Sequence, residues 1–153
     1  MAVPQIIKIV REAGYHTDLI GKSADGNQFM GFVTATLPTR LPKNWQSKKR
    51  WYAVLHTFDK KGKHLRTEAW FAGTTASGEQ EAIKKAQARL DEMIAALGKV
   101  KYGNVKVGLF QEKIDGQVFG LVDASVPAED YERIDLLPNN LAFFEPWDGN
   151  YDT

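Results

Sequence analysis

Three histidines, His16, His56 and His64, are the side chains of this chain best suited to acid–base or metal chemistry. Facing strands that carried two of them together with Asp18 would place imidazoles and a carboxylate at roughly 2 Å from a common metal ion. No two histidines have the close spacing on one element that marks a specific metal site. His56 also alternates with apolar residues, so the sequence favours a hydrogen-bonded core histidine, and we expect no metal and no cofactor.

Catalysis by a nucleophile or by an acid–base pair is the next chemistry to weigh. The chain has no cysteine, which excludes a thiolate nucleophile, disulfides and thiolate zinc sites. Its serines lie outside any G-x-S-x-G turn, and Ser77 has the position of a helix cap. A non-catalytic protein is therefore favoured. The alternative is a small hydrolase or lyase in which His56 or His16 works with a carboxylate such as Glu68.

The basic loop, residues 43–50, has the composition of a nucleic-acid contact. Lys48, Lys49 and Arg50 lie next to Trp51, and basic groups beside aromatic rings hold phosphates and stack on bases. The chain has one long helix pattern, no helix-turn-helix pair and an acidic second half, which together argue against this function. A solvated basic loop is the favoured interpretation, its cations are candidate contacts for a protein partner, and nucleic-acid binding is the third alternative.

The C-terminal tail, residues 138–153, is aromatic, acidic and rich in turn residues. Trp147 and Tyr151 have the large rings that anchor protein interfaces, and the carboxylates beside them would suit a basic partner. These carboxylates belong to Glu145, Asp148 and Asp152. The favoured interpretation is that Phe143, Phe144 and Trp147 cover the protein's own core, and both interpretations can hold for different residues of the tail. The sequence leaves open whether the tail is docked or free.

A near-neutral net charge of +1 hides an asymmetry between the two halves of the chain. Up to Ala72 there are 12 Lys and Arg against 5 Asp and Glu, and from Gly73 onward there are 8 against 14. Either the two halves neutralise each other within one fold, or the surface is polarised and steers a charged partner.

The elements that must position these residues are mainly β-hairpins. The runs 51–58 and 63–72 flank a loop that contains Asp59 and Gly62, which predicts a hairpin. Both alternating faces of the first run are apolar, so its strand is expected inside a sheet. Turn residues around 24–27 and at Asp115 and Gly116 predict two further hairpins.

One long helix follows the central hairpin. Apolar residues recur at three- and four-residue spacing, which places them on one helix face: Ile83, Ala86, Leu90, Met93, Ile94 and Leu97. Ser77 and Gln80 fit a capping box at its start, and Gly98 fits a left-handed stop at its end.

The pattern as a whole predicts a single α+β domain, residues 1–153. In it a twisted, mainly antiparallel sheet built from hairpins carries the long helix across one face. The aromatic tail is expected to cover the other face. The first residues lack the pattern of a signal peptide, and no apolar run approaches the roughly 20 residues of a membrane span, so a cytoplasmic protein is expected.

Three stretches together resemble a family of small bacterial proteins described as formate hydrogenlyase regulatory proteins. They read RWYAVLHTFD at residues 50–59, FAGTT at 71–75 and PWDGNYDT at 146–153. The resemblance implies a non-enzymatic bacterial regulator that acts through a protein partner. The α+β architecture with an acidic tail is also similar to that of immunity proteins, which block a toxin by binding it.

These observations predict a module that binds another protein, with no membrane association and no cofactor. The candidate contacts are the tail and the basic loop described above. A homo-oligomer is left open.

Overall fold

The computed structural model describes residues 3–153, which form an α+β fold of mainly antiparallel sheets with one long helix. The first half contains β1 (Ile6–Ile9), β2 (Leu19–Ser23), β3 (Gln28–Thr36), α1 (Trp45–Lys48), β4 (Arg50–Phe58) and β5 (His64–Thr74). The second half contains α2 (Glu79–Ala95), β6 (Val100–Tyr102), β7 (Val105–Gly108), β8 (Phe110–Ile114), β9 (Gln117–Asp123), β10 (Ile134–Leu137), β11 (Leu141–Phe143) and β12 (Tyr151–Asp152). The domain predicted over 1–153 begins with two residues that lie outside the described range.

The strands form three sheets rather than the one that was predicted. The main sheet has the order β5-β4-β3-β2-β6, and a second five-stranded sheet has the order β12-β11-β10-β9-β8. A small third sheet pairs β1 with β7. The three predicted hairpins are confirmed as β2–β3, β4–β5 and β8–β9. The third hairpin extends through β10 instead of joining the other two, which produces the second sheet.

Helix α2 covers one face of the main sheet, as the apolar spacing predicted. Ala86, Leu90 and Ile94 are buried against Phe29 and Leu55 of the sheet. Gly98 has a φ of 83° and follows the last turn, in agreement with the predicted left-handed stop. Burial of this stripe, rather than intrinsic helix propensity, is the main source of stability for a helix of this length.

The predicted capping box at the start of α2 does not form. The chain enters the helix through Gly78, whose φ of 121° is unsuited to a serine cap, and no side chain caps the first turn. Ser77 instead closes the preceding turn: its Oγ accepts from the Thr74 N–H at 3.0 Å and donates to the Thr74 carbonyl at 2.9 Å. The sequence pattern is therefore one residue early relative to the helix.

The other face of the main sheet packs against the second sheet. Met30, Phe32 and Phe58 of the main sheet share a core with Leu136 and Phe143 of the second. The tail was expected to cover this face alone. It contributes β11 and β12 to the second sheet, which β8, β9 and β10 complete, and Ile7, Ile9 and Val107 of the small sheet join the same core.

The small sheet is attached to the main one by a buried glutamine. Gln28 is 3 % exposed, and its amide donates to the carbonyls of Lys106 and Asp59 at 2.8 and 3.1 Å. Its carbonyl accepts from the Lys106 N–H at 2.8 Å. One side chain thus satisfies three backbone groups where β7 meets the edge of the main sheet.

Strand β2 is shorter than β3, and its first residue, Leu19, lies opposite Gly31. β3 pairs with β4 along its whole length, from Gln28 to Thr36. It pairs with β2 only from Gln28 to Gly31, so residues 32–36 have no partner strand on that side. In residues 3–153 these five residues also form no backbone hydrogen bond to a loop. The sheet therefore has an open notch in its interior rather than only at its rim.

Candidate functional site

His56 is a core residue. It is fully buried, and its Nδ1 lies 2.8 Å from the Thr67 hydroxyl oxygen. Its Nε2 has no hydrogen-bond partner among the described residues, and the ring of Phe110 lies edge-on at 4.8 Å. Burial, with a smaller contribution from His64, lowers the pKa of His56 to about 3, so the ring is neutral. This placement agrees with the core histidine favoured by the sequence.

The other residues proposed for catalysis do not converge on His56. The register pairs His56 with Thr67, so the next residue, Glu68, lies on the opposite face of the sheet. His16 is exposed in the loop before β2, where its ring lies 6.0 Å from that of Tyr151. An acid–base pair of a histidine with Glu68 is therefore not assembled. Residues 3–153 contain no group of three His, Asp or Glu side chains suited to hold a metal.

Two cations of the basic loop are engaged within the protein. Lys49 lies 3.7 Å from the Glu79 carboxylate and 4.9 Å from the centre of the Trp51 ring. The Arg50 guanidinium lies 3.8 Å from the centre of the Phe71 ring. Lys48, at the end of α1, is exposed. The loop therefore offers fewer free charges to a partner than its sequence suggests.

Arg50 also belongs to a polar link between the two large sheets. Its Nε donates to the Tyr52 hydroxyl at 2.8 Å, and that hydroxyl donates to the Asp115 carboxylate at 2.8 Å. Burial of the Tyr52 ring raises the pKa of its hydroxyl. The link connects β4 to the turn of the β8–β9 hairpin, which assigns Arg50 a structural role.

The tail is docked on the body of the protein. Leu141 and Phe143 are fully buried, and Trp147 is half-buried against the same core. The Val10 N–H donates to the Gly149 carbonyl at 3.0 Å, which holds the last turn against the N-terminal segment. The aromatic residues of the tail thus contribute to the protein's own core.

The acidic residues of the tail face outward. Glu145, Asp148 and Asp152 are exposed and line a shallow cavity of about 200 Å³ together with Tyr151. Their assignment as partner contacts stays a prediction. If they act in this way, they do so from a fixed surface and not from a flexible segment.

A groove that the sequence analysis missed follows the unpaired edge of β3. One cavity of about 430 Å³ is lined by residues 31–33, and a second of about 420 Å³ is lined by residues 35–37. The turn between β10 and β11 borders both, through Asn139 in the first cavity and Asn140 in the second. The two cavities therefore lie end to end along the five residues that lack a partner strand.

The two ends of this groove differ in charge. Asp18 and Asp91 line the first cavity, and Asp18 is already paired with Arg11 at 2.8 Å. Lys113 lines the second cavity. Neither Asp91 nor Lys113 forms an ion pair with another of the residues 3–153. One free carboxylate and one free ammonium group thus mark opposite ends.

The outer edge of β5 is less suited to pairing, although it is longer. Register shifts interrupt the β4–β5 ladder near both ends of β5, and the charged side chains of Arg66 and Glu68 lie between them. Irregularities and charges of this kind hinder the addition of another strand at a rim. Residues 32–36 of β3 carry no charge themselves, and their ladder with β4 has no register shift.

Comparison of the chain with protein-family models, curated proteins and solved structures finds no match. Of the helices within residues 3–153, none has the length and apolar character required to cross a membrane.

Proposed function

We propose that this protein is a non-catalytic binding module that takes up an extended segment of a partner protein along β3. The observation that supports this proposal is the notch beside residues 32–36 of β3, where β2 does not extend. Alternate residues of an antiparallel strand direct both backbone groups to the same side, so residues 32–36 present unpaired N–H and C=O groups to the groove. An added strand satisfies such groups, and pockets along the edge select its side chains.

The dimensions of the groove fit this role. Five residues of β3 span roughly 13–17 Å, at about 3.3 Å per residue. The cavities on either side of Thr34 are separate, as expected for pockets that receive individual side chains. The turn between β10 and β11 and, at one end, helix α2 form walls that would hold a strand in register.

A peptide-display screen tests the proposal. Random hexapeptides would be selected on the wild-type protein, on Ala35→Trp, which adds a bulky ring at a residue that lines the second cavity, and on Arg66→Trp, which places the same ring on β5. We expect enrichment of extended, β-prone sequences on the wild type and on Arg66→Trp, and its loss on Ala35→Trp. Circular dichroism would establish that all three are folded. Absence of enrichment on the wild type, or equal enrichment on folded Ala35→Trp, would contradict the proposal.

The acidic side of the tail is retained as a second proposed contact, for a basic region of the same partner. Truncation before Glu145 is a poor test because it would delete β12 and the Trp147 contact with the core. Replacing the exposed carboxylates of Asp148 and Asp152 by amides leaves that packing intact and is the appropriate variant.

The resemblance described above supports two biological classes for such a module, a bacterial regulator or an immunity protein. Both act by contact with another protein. The gene beside this one distinguishes them, because a toxin and a formate-metabolising enzyme are different neighbours.

A further inference from the structure

The groove beside β3 is asymmetric, and we infer that the bound segment runs antiparallel to β3 with an acidic side chain towards its N-terminus and a basic one towards its C-terminus. This inference rests on the function proposed above and adds the chemistry of the partner segment. It follows from the positions of Asp91 and Lys113, the two unpaired charges that line the cavities.

The direction follows from the ladder that the segment would extend. β2 runs antiparallel to β3 and begins at Leu19, opposite Gly31, so residues 32–36 of β3 lie beyond its N-terminal end. A segment that continues this ladder meets the same edge of β3, and antiparallel pairing is the more stable arrangement per residue. Every strand pair in residues 3–153 is also antiparallel.

The order of charges follows from the direction. A strand antiparallel to β3 begins beside Leu37, in the cavity that contains Lys113. It ends beside Gly31, in the cavity that contains Asp91. Electrostatic complementarity therefore requires a carboxylate near the start of the segment and a cation near its end.

The spacing of the two charges follows from the faces on which their partners lie. Asp91 belongs to α2, which covers one face of the main sheet, whereas Lys113 belongs to β8 of the sheet that covers the other. Successive residues of a strand point to opposite faces, so the two charged residues must be separated by an odd number of positions, roughly three or five.

Four capped hexapeptides would serve as probes. The first, Glu-Val-Thr-Val-Thr-Lys, has the inferred order, and the second has its Glu and Lys exchanged. The third and fourth have the inferred order with methyl groups on alternate backbone nitrogens, one peptide for each phase, so that each blocks one edge of the strand. Titrations followed by amide chemical shifts would give the affinity and the residues affected.

We expect the first peptide to perturb the amides of residues 32–36 and to bind about tenfold more tightly than the exchanged peptide, since two weak ion pairs become two repulsions. One phase of methylation should abolish binding. In the double variant Asp91→Lys with Lys113→Glu, the preference should reverse.

Equal affinity for the first two peptides would overturn the inferred charge order while leaving strand addition in place. Preference of the wild type for the exchanged peptide would overturn the antiparallel direction. If none of the peptides perturbs residues 32–36, both this inference and the proposed function fail. Shifts confined to Glu145, Asp148 and Asp152 would count in the same way, because they would place binding on the tail.

Discussion

His56 makes the stability of this fold sensitive to acid. Its folded-state pKa is about 3, whereas a histidine in an unfolded chain has a pKa of about 6.5. Between pH 3 and pH 6.5 the His56 ring binds a proton in the unfolded state and does not bind one in the folded state. The contribution of His56 to the free energy of unfolding is therefore complete above pH 6.5 and falls by about 1.4 kcal/mol per pH unit as the pH decreases towards 3.

Replacement of the histidine tests this linkage. We expect the free energy of unfolding of His56→Leu, measured by urea denaturation, to fall less steeply between pH 7 and pH 5 than that of the wild type. The two slopes should differ by about 1.4 kcal/mol per pH unit, which corresponds to one proton. His16→Gln, which removes an exposed histidine, provides the matched control for the loss of one histidine. Parallel curves for the wild type and His56→Leu would contradict the assignment of acid sensitivity to His56.

Gln28 is a second residue whose side chain has a structural role. The substitution Gln28→Ala leaves the Lys106 N–H and carbonyl without their partner and removes one of the two donors to the Asp59 carbonyl. We expect a loss of about 3 kcal/mol in the free energy of unfolding. Gln111→Ala on the exposed face of β8 is the comparison and should change the value by less than about 0.5 kcal/mol. Similar effects of the two substitutions would show that the buried bridge contributes little.

At the residue scale, the sequence predicted whether a side chain is buried better than it predicted which side chains lie beside it. The alternation around His56 places it correctly in an apolar face, because alternation depends only on the pleat of one strand. Glu68 was proposed as an acid–base partner of His56 because the pairing of β4 with β5 was predictable from the sequence, whereas the register of that pairing was not. A shift of one residue in register moves a side chain to the other face.

The C-terminal tail is docked through a close contact between Gly149 and Val10. Gly149 has a φ of 92°, and a Cβ at this position would lie 2.8 Å from Val10 Cγ2 and 3.0 Å from the Val10 nitrogen. Gly149→Ala is therefore expected to destabilise the fold by about 1–3 kcal/mol through backbone strain and displacement of β12. Gly103→Ala, where a Cβ meets nothing within 4 Å, is the control. Thermal denaturation with equal midpoints for the two variants would indicate a loosely attached tail.

Hairpins and the long helix were predictable because each depends on local periodicity and turn residues. The short helix α1 within the basic loop was not predicted, because it lacks an apolar stripe and has no buried residue. The groove beside β3 left a trace in the sequence: the run that becomes β3 is longer than its hairpin partner. That trace indicates an unpaired edge only if no other strand fills the gap, which local patterns do not reveal.

At the scale of the whole molecule, the division of the strands among three sheets was beyond prediction. Both central strands of the main sheet have apolar residues on both faces, which correctly required cover on each side. The choice of β8–β12 for that cover depends on contacts between residues far apart in the chain. The charge asymmetry was likewise visible in the sequence, but the engagement of Lys49 with Glu79 and of Arg50 with Asp115 shows that part of it is neutralised internally.

The short length of β2 also has a kinetic consequence for the protein without a bound partner. Along residues 32–36, alternate N–H groups point to β4 while the intervening ones point into the groove, where they have no strand partner among residues 3–153. Neighbouring amides of one strand should therefore exchange hydrogen for deuterium at rates that differ by orders of magnitude, in a period of two residues. Residues 28–31, which are paired on both sides, should lack this pattern. A bound strand would erase the alternation, so exchange kinetics would detect even a partner whose identity is unknown.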